Sequence, residues 1–77
     1  MTRLPALNFR TMEKALLNLG FEPVRQKGSH VFFRHPNGRG TSVPNHPGRD
    51  IPRPLVHEIL REIGMTTEQF MEELEKG

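Results

Sequence analysis

Arg25-Gln26-Lys27-Gly28-Ser29-His30-Val31-Phe32-Phe33-Arg34-His35-Pro36-Asn37-Gly38 is the stretch whose reading decides the fold. Val31, Phe32 and Phe33 are strand-favouring residues in a row, so His30 to His35 reads as a strand. Before it, Lys27-Gly28-Ser29 is a turn, with Gly28 free to take a positive φ. After it, Pro36-Asn37-Gly38 is a hairpin signal, in which proline presets the turn and glycine tolerates the left-handed position. Phe21 to Gln26 therefore reads as the preceding strand, with Pro23 at a point where no ladder donor is needed. Arg39 to Val43 reads as the following strand, stopped by Pro44. The three together predict an antiparallel meander.

The flanks of this meander have a different period. Phe9, Met12, Leu16 and Leu19 recur at helical spacing, with Asn8 as N-cap and Gly20 as C′ stop. Asn45 to Asp50 is a polar loop. Pro52 and Pro54 then mark the first turn of a second helix, since proline is tolerated there. Leu55, Ile59 and Ile63 line one of its faces, with Val56 and Leu60 beside them, and Gly64 ends it. Thr66 with Gln69 three residues later is a capping box that opens a short last helix, Thr67 to Glu75, carrying Phe70, Met71 and Leu74. The order α-β-β-β-α, plus the C-terminal helix, predicts an α+β fold with a three-stranded antiparallel sheet and helices on one face. Double-stranded-RNA-binding domains have the same order of elements.

Size and composition bound the rest. The chain has 77 residues, 34% of them hydrophobic, and no cysteine. It is expected to form one domain, 1–77, with a core at about 9–64 and a helical extension at 65–77. A domain this small buries only about 60% of its unfolded surface, and no disulfide is available to reinforce it. No apolar run approaches the roughly 18 residues of a membrane span, and Met1 to Pro5 does not read as a secretory signal, so a cytoplasmic protein with no membrane partner is expected. The formal net charge of +2 conceals an asymmetry. Residues 1–49 carry eight basic and two acidic residues, a balance of +6, while 50–77 carry three and seven, a balance of −4. A basic half of this kind suits a polyanion.

Strand parity sorts the dense central stretch. His30, Phe32 and Arg34 share one face, and Val31, Phe33 and His35 share the other. With Val31 and Phe33 toward the helices, an aromatic ring flanked by a histidine and an arginine faces solvent. That arrangement suits a nucleotide, base on ring and phosphate on cation. In the other register Phe32 enters the core and His30 lies on the inner face; the first is preferred, and the hydrophobic pattern alone does not settle it, because both faces have an apolar residue. Histidine moves protons near neutral pH, and the cations of Arg25, Lys27 and Arg34 would hold a phosphate beside it. The bland readings are a satisfied strand histidine for His30 and ordinary turn residues for Gly28 and Ser29. His35 reads as a turn-flanking residue, His46 as a loop residue of either kind, and His57 as surface. His30 and His35 point to opposite faces and no His-x-x-x-His pair occurs, so no metal site and no cofactor are expected.

Leu19-Gly20-Phe21, Arg25 to His30, Arg34-His35-Pro36-Asn37-Gly38 and Val43-Pro44 together resemble the HicA toxins of type II toxin–antitoxin pairs. The Leu55 to Gly64 segment resembles the family's closing helix, so the likeness covers about residues 9–64. It implies a double-stranded-RNA-binding-domain-like fold and an mRNA interferase, an endoribonuclease that arrests translation. It also implies neutralisation by a HicB-type antitoxin that covers the active site. The family's catalytic histidine maps onto His30 and its Gly-Ser lead-in onto Gly28 and Ser29. Pro23 departs from the aliphatic residue common there, which puts the regularity of the first strand in question. Nothing carries over to the tail after Gly64. Two other readings compete: a non-catalytic RNA-binding module of the same fold, and an adaptor whose acidic helix docks a basic partner.

Overall fold

A computed structural model describes residues 4–76. The elements are β1 (Leu7–Asn8), α1 (Phe9–Asn18), β2 (Glu22–Lys27), β3 (His30–Arg34), β4 (Gly40–Pro44), β5 (Asp50–Ile51), α2 (Arg53–Ile63) and α3 (Thr67–Lys76). β2, β3 and β4 form the expected antiparallel sheet with β3 in the middle. Val31, Phe33 and Val43 are buried on one face and meet Met12, Ala15 and Leu16 of α1 and Val56, Ile59, Leu60 and Ile63 of α2. The register with Val31 and Phe33 inward is the one adopted.

Local chemistry sets the helix ends. The Asn8 side chain accepts the Thr11 N–H at 2.9 Å, as expected of an N-cap. α1 and α2 close in the same way. Phe21 N–H donates to Leu16 O and Gly20 N–H to Leu17 O; Met65 N–H donates to Leu60 O and Gly64 N–H to Arg61 O. These paired bonds are the Schellman motif. α3 opens on the capping box read from the sequence, with Thr66 N–H to Gln69 Oε1 at 2.9 Å and Gln69 N–H to Thr66 Oγ1 at 3.1 Å. Phe70 of α3 is fully buried, so the C-terminal helix packs into the same core as the sheet and α1.

The structure corrects the sequence reading in two places, the strand bounds and the loop after β4, and it shows the irregularity expected at Pro23. The strands are offset by about a residue: Phe21 lies outside β2 and is a core side chain, and Arg39 lies outside β4. β2 is an edge strand with every residue exposed, and its pairing slips between Pro23 and Arg25, leaving Val24 without a partner. A bulge at the proline is the physical outcome, because proline has no N–H for the ladder. The segment read as a polar loop ends in a two-residue strand, β5, which pairs with β1: Leu7 opposite Ile51 and Asn8 opposite Asp50. Leu4, Leu7 and Ile51 are buried there. Two-residue strands have no periodicity to read, and this pair joins segments far apart in the chain.

Candidate nucleic-acid interface

The pairing of the strands lays out the solvent face of the sheet in three rows. Lys27, His30 and the buried Pro44 stand opposite one another in the first, Arg25, Phe32 and Ser42 in the second, and Glu22, Arg34 and Gly40 in the third. Directly opposed residues on one face have Cβ atoms about 4.5–5.5 Å apart. Arg25, Lys27, His30, Phe32 and Arg34, spread over two strands, are thus brought onto one surface. None of Arg25, Lys27 and Arg34 belongs to an ion pair among the described residues; the exposed Arg61–Glu58 pair lies on α2. Their charge is available to an incoming anion.

The first row depends on a tight turn. Gly28 has φ +60° and Ser29 has a negative φ, the pattern of a type II′ hairpin with glycine at its first central position. The Gln26 side chain donates to Gly28 O at 3.1 Å, and Asn45 N–H donates to Ser29 O at 2.6 Å. The second bond carries the β3–β4 ladder one step past Pro44 and fixes the turn from the far side. Lys27 and His30 therefore leave a braced two-residue turn side by side.

The second row is a stack. The Arg25 guanidinium carbon sits 4.7 Å from the centroid of the Phe32 ring, within cation–π range. Parity alone placed His30 and Arg34 beside Phe32; the neighbouring strand adds Arg25 over the ring. A base arriving here meets either the aromatic face or the guanidinium plane, and both stack bases. A groove of about 650 Å³ touches this row, lined by Arg25, Phe32, Arg34 and Ser42 and also by Thr41 and the acidic Glu62 of α2. Toward the first row, the Ser42 hydroxyl lies 3.3 Å from Nδ1 of His30. Ser42 is a site residue that the sequence reading missed. The alternation Thr41 in, Ser42 out, Val43 in carried the signal, but only the register with β3 sets it near His30.

The other histidines are placed elsewhere. His35 follows β3 at its opposite end. Its Nδ1 accepts the Asn37 N–H at 3.0 Å, and its ring packs at 4.9 Å from that of Phe21. It organises the hairpin and stands away from His30. His57 is exposed on α2. His46 is exposed in the loop after β4, in a groove of about 520 Å³ that it shares with Arg10 and Arg49. Arg39, counted in the sequence with the basic half, serves the fold: its guanidinium donates to Glu62 O at 3.3 Å in the last turn of α2. Among the described residues no three His, Asp or Glu side chains are grouped to share a metal ion.

The model of the HicA toxin family of bacterial toxin–antitoxin systems matches residues 9–65, and the chain belongs to that family. It is a toxin of a toxin–antitoxin system, a class with an antitoxin partner and RNA as its target. Among curated proteins, none matches it. No helix among the described residues is long and apolar enough to cross a membrane.

Proposed function

We propose that the chain is an mRNA interferase: a metal-independent endoribonuclease, held in check in the cytoplasm by a HicB-type antitoxin. The observation that carries this reading is the first row of the outer face, where Lys27 stands opposite His30 at the end of a braced turn. RNA supplies its own nucleophile, the 2′-hydroxyl, so the chemistry needs only a proton acceptor, a cation for the phosphorane and a proton for the leaving 5′-oxygen. His30 is the general base and then the general acid. Lys27, Arg25 and Arg34 neutralise the phosphate. Gly28 and Ser29 bring the backbone of the turn up to the RNA, and Phe32 with Arg25 stacks a base. The products are a 2′,3′-cyclic phosphate and a 5′-hydroxyl. His35, committed to its hairpin, takes no part.

The test is cleavage of single-stranded RNA with chelator present. Wild type is expected to cut in EDTA, and His30→Ala to lose about 10²–10⁴-fold in rate. Equal rates for the two proteins overturn the role of His30, and loss of wild-type activity in EDTA overturns the metal-free mechanism. The cation–π stack would also serve a non-catalytic RNA-binding module, and such a module would bind in this assay without cutting. The antitoxin is expected to present acidic or apolar groups to Arg25, Lys27 and His30. Lys27→Glu should then weaken the toxin–antitoxin complex, and an unchanged affinity would count against that docking mode.

A further inference from the structure

Ser42 lies on β4 opposite Phe32, one step diagonally from His30, and its hydroxyl is the hydrogen-bond partner of the His30 ring among the described residues. We propose that Ser42 is a positioning residue: its Oγ accepts a hydrogen bond from Nδ1–H of His30 and holds the ring in the tautomer whose Nε2 lone pair is free for the RNA. The proposal rests on the reading of His30 as the base. A neutral imidazole has one ring proton, so a base at Nε2 requires that proton on Nδ1, and a fixed acceptor beside Nδ1 favours that tautomer over its alternative. A Ser42 hydroxyl donating to Nδ1 would place the proton on Nε2 and leave no lone pair there for base chemistry.

The same contact serves the whole reaction. As the 2′-O–H bond breaks, its proton goes to Nε2 and the 2′-oxygen bonds to phosphorus. The ring is now protonated on both nitrogens, and Nδ1–H still donates to Ser42 Oγ. As the P–O5′ bond breaks, the Nε2 proton passes to the departing 5′-oxygen and the ring returns to its starting tautomer. Ser42 is half-buried, and the pairing of Phe32 with Ser42 fixes its backbone, so the acceptor is in place before RNA arrives.

The experiment pairs ¹⁵N NMR of the histidine rings with cleavage kinetics. Wild type should show His30 in the Nδ1–H form. Ser42→Ala should shift it toward Nε2–H, the form the free histidine side chain favours, and lower kcat by about three- to tenfold with little change in KM, the effect of one hydrogen bond. Ser42→Thr keeps the hydroxyl and suits a strand, so it should restore both readouts. An unchanged tautomer in Ser42→Ala, or full kcat in that variant, overturns the proposal. If His30→Ala cleaves like wild type, the functional reading fails on its own, and the tautomer of Ser42→Ala still decides whether this contact orients the ring.

Discussion

His30 and Val31 are neighbours in the chain and end in opposite environments. Val31 is buried against the helices while His30 stands exposed beside Lys27. Alternation along a strand puts the two on opposite faces, but Phe32 gives the His30 face an apolar residue as well, so only packing against the helices decides which face turns inward. The partners of His30 were not legible: Ser42 lies twelve positions away, and Lys27 becomes its neighbour only because the turn between them has two residues. Gly28 sets that geometry. Nothing lies within 4 Å of the place a Cβ would occupy there, so Gly28→Ala meets only backbone strain at φ +60°. Its expected cost is about 1–2 kcal/mol in urea denaturation. A cost near zero would show that the turn relaxes. Phe32→Ala removes the stacking ring and should weaken single-stranded RNA binding by about 1–3 kcal/mol in a titration with uncleavable RNA.

Each element shows how far local signals reach. The ends of the helices were readable because caps are written in a few adjacent residues: Asn8 for α1, Gly64 for α2, and Thr66 with Gln69 for α3. Thr66→Ala should therefore cost about 1 kcal/mol by thermal or chemical denaturation. The role of Arg39 was not readable. It follows a turn in which His35 N–H donates to Arg39 O and Arg39 N–H donates to Asn37 Oδ1, and that turn swings its guanidinium onto the C-terminal end of α2. A cation is favourable there because the last carbonyls of a helix are unpaired and carry partial negative charge. Beside it, Thr41 Oγ1 donates to a Glu62 carboxylate oxygen at 2.7 Å, a second tie between β4 and α2. Gly64 has φ +78°, and a Cβ there would come within 2.8 Å of the Arg39 guanidinium carbon. The arginine is long enough to move aside, so the main cost of Gly64→Ala is the left-handed backbone. β2 is an exposed edge, and its bulge together with Arg25 and Lys27 guards it against pairing with another strand.

For the molecule as a whole, two totals matter: how much core there is and where the charge goes. A chain of 77 residues has a net stability of about 4–12 kcal/mol at the usual yield per residue. Phe70 is fully buried, and Phe70→Ala, at about 3–5 kcal/mol, should remove a large part of that and lower the melting temperature sharply. A small loss would mean that α3 is not needed to close the core. The cations of the outer face should make RNA binding salt-dependent, with log affinity falling linearly against log salt and the slope becoming shallower when Lys27 or Arg34 is neutralised. The sequence by itself determined the meander, the caps and the division into a basic and an acidic half, because each depends on residues close together in the chain. Only the tertiary structure decided that β1 pairs with β5, that Arg39 holds a helix end, that Arg25 covers Phe32 and that Ser42 meets His30. Those contacts join positions separated in sequence, and they exist only once strand register and core packing have fixed where the segments lie.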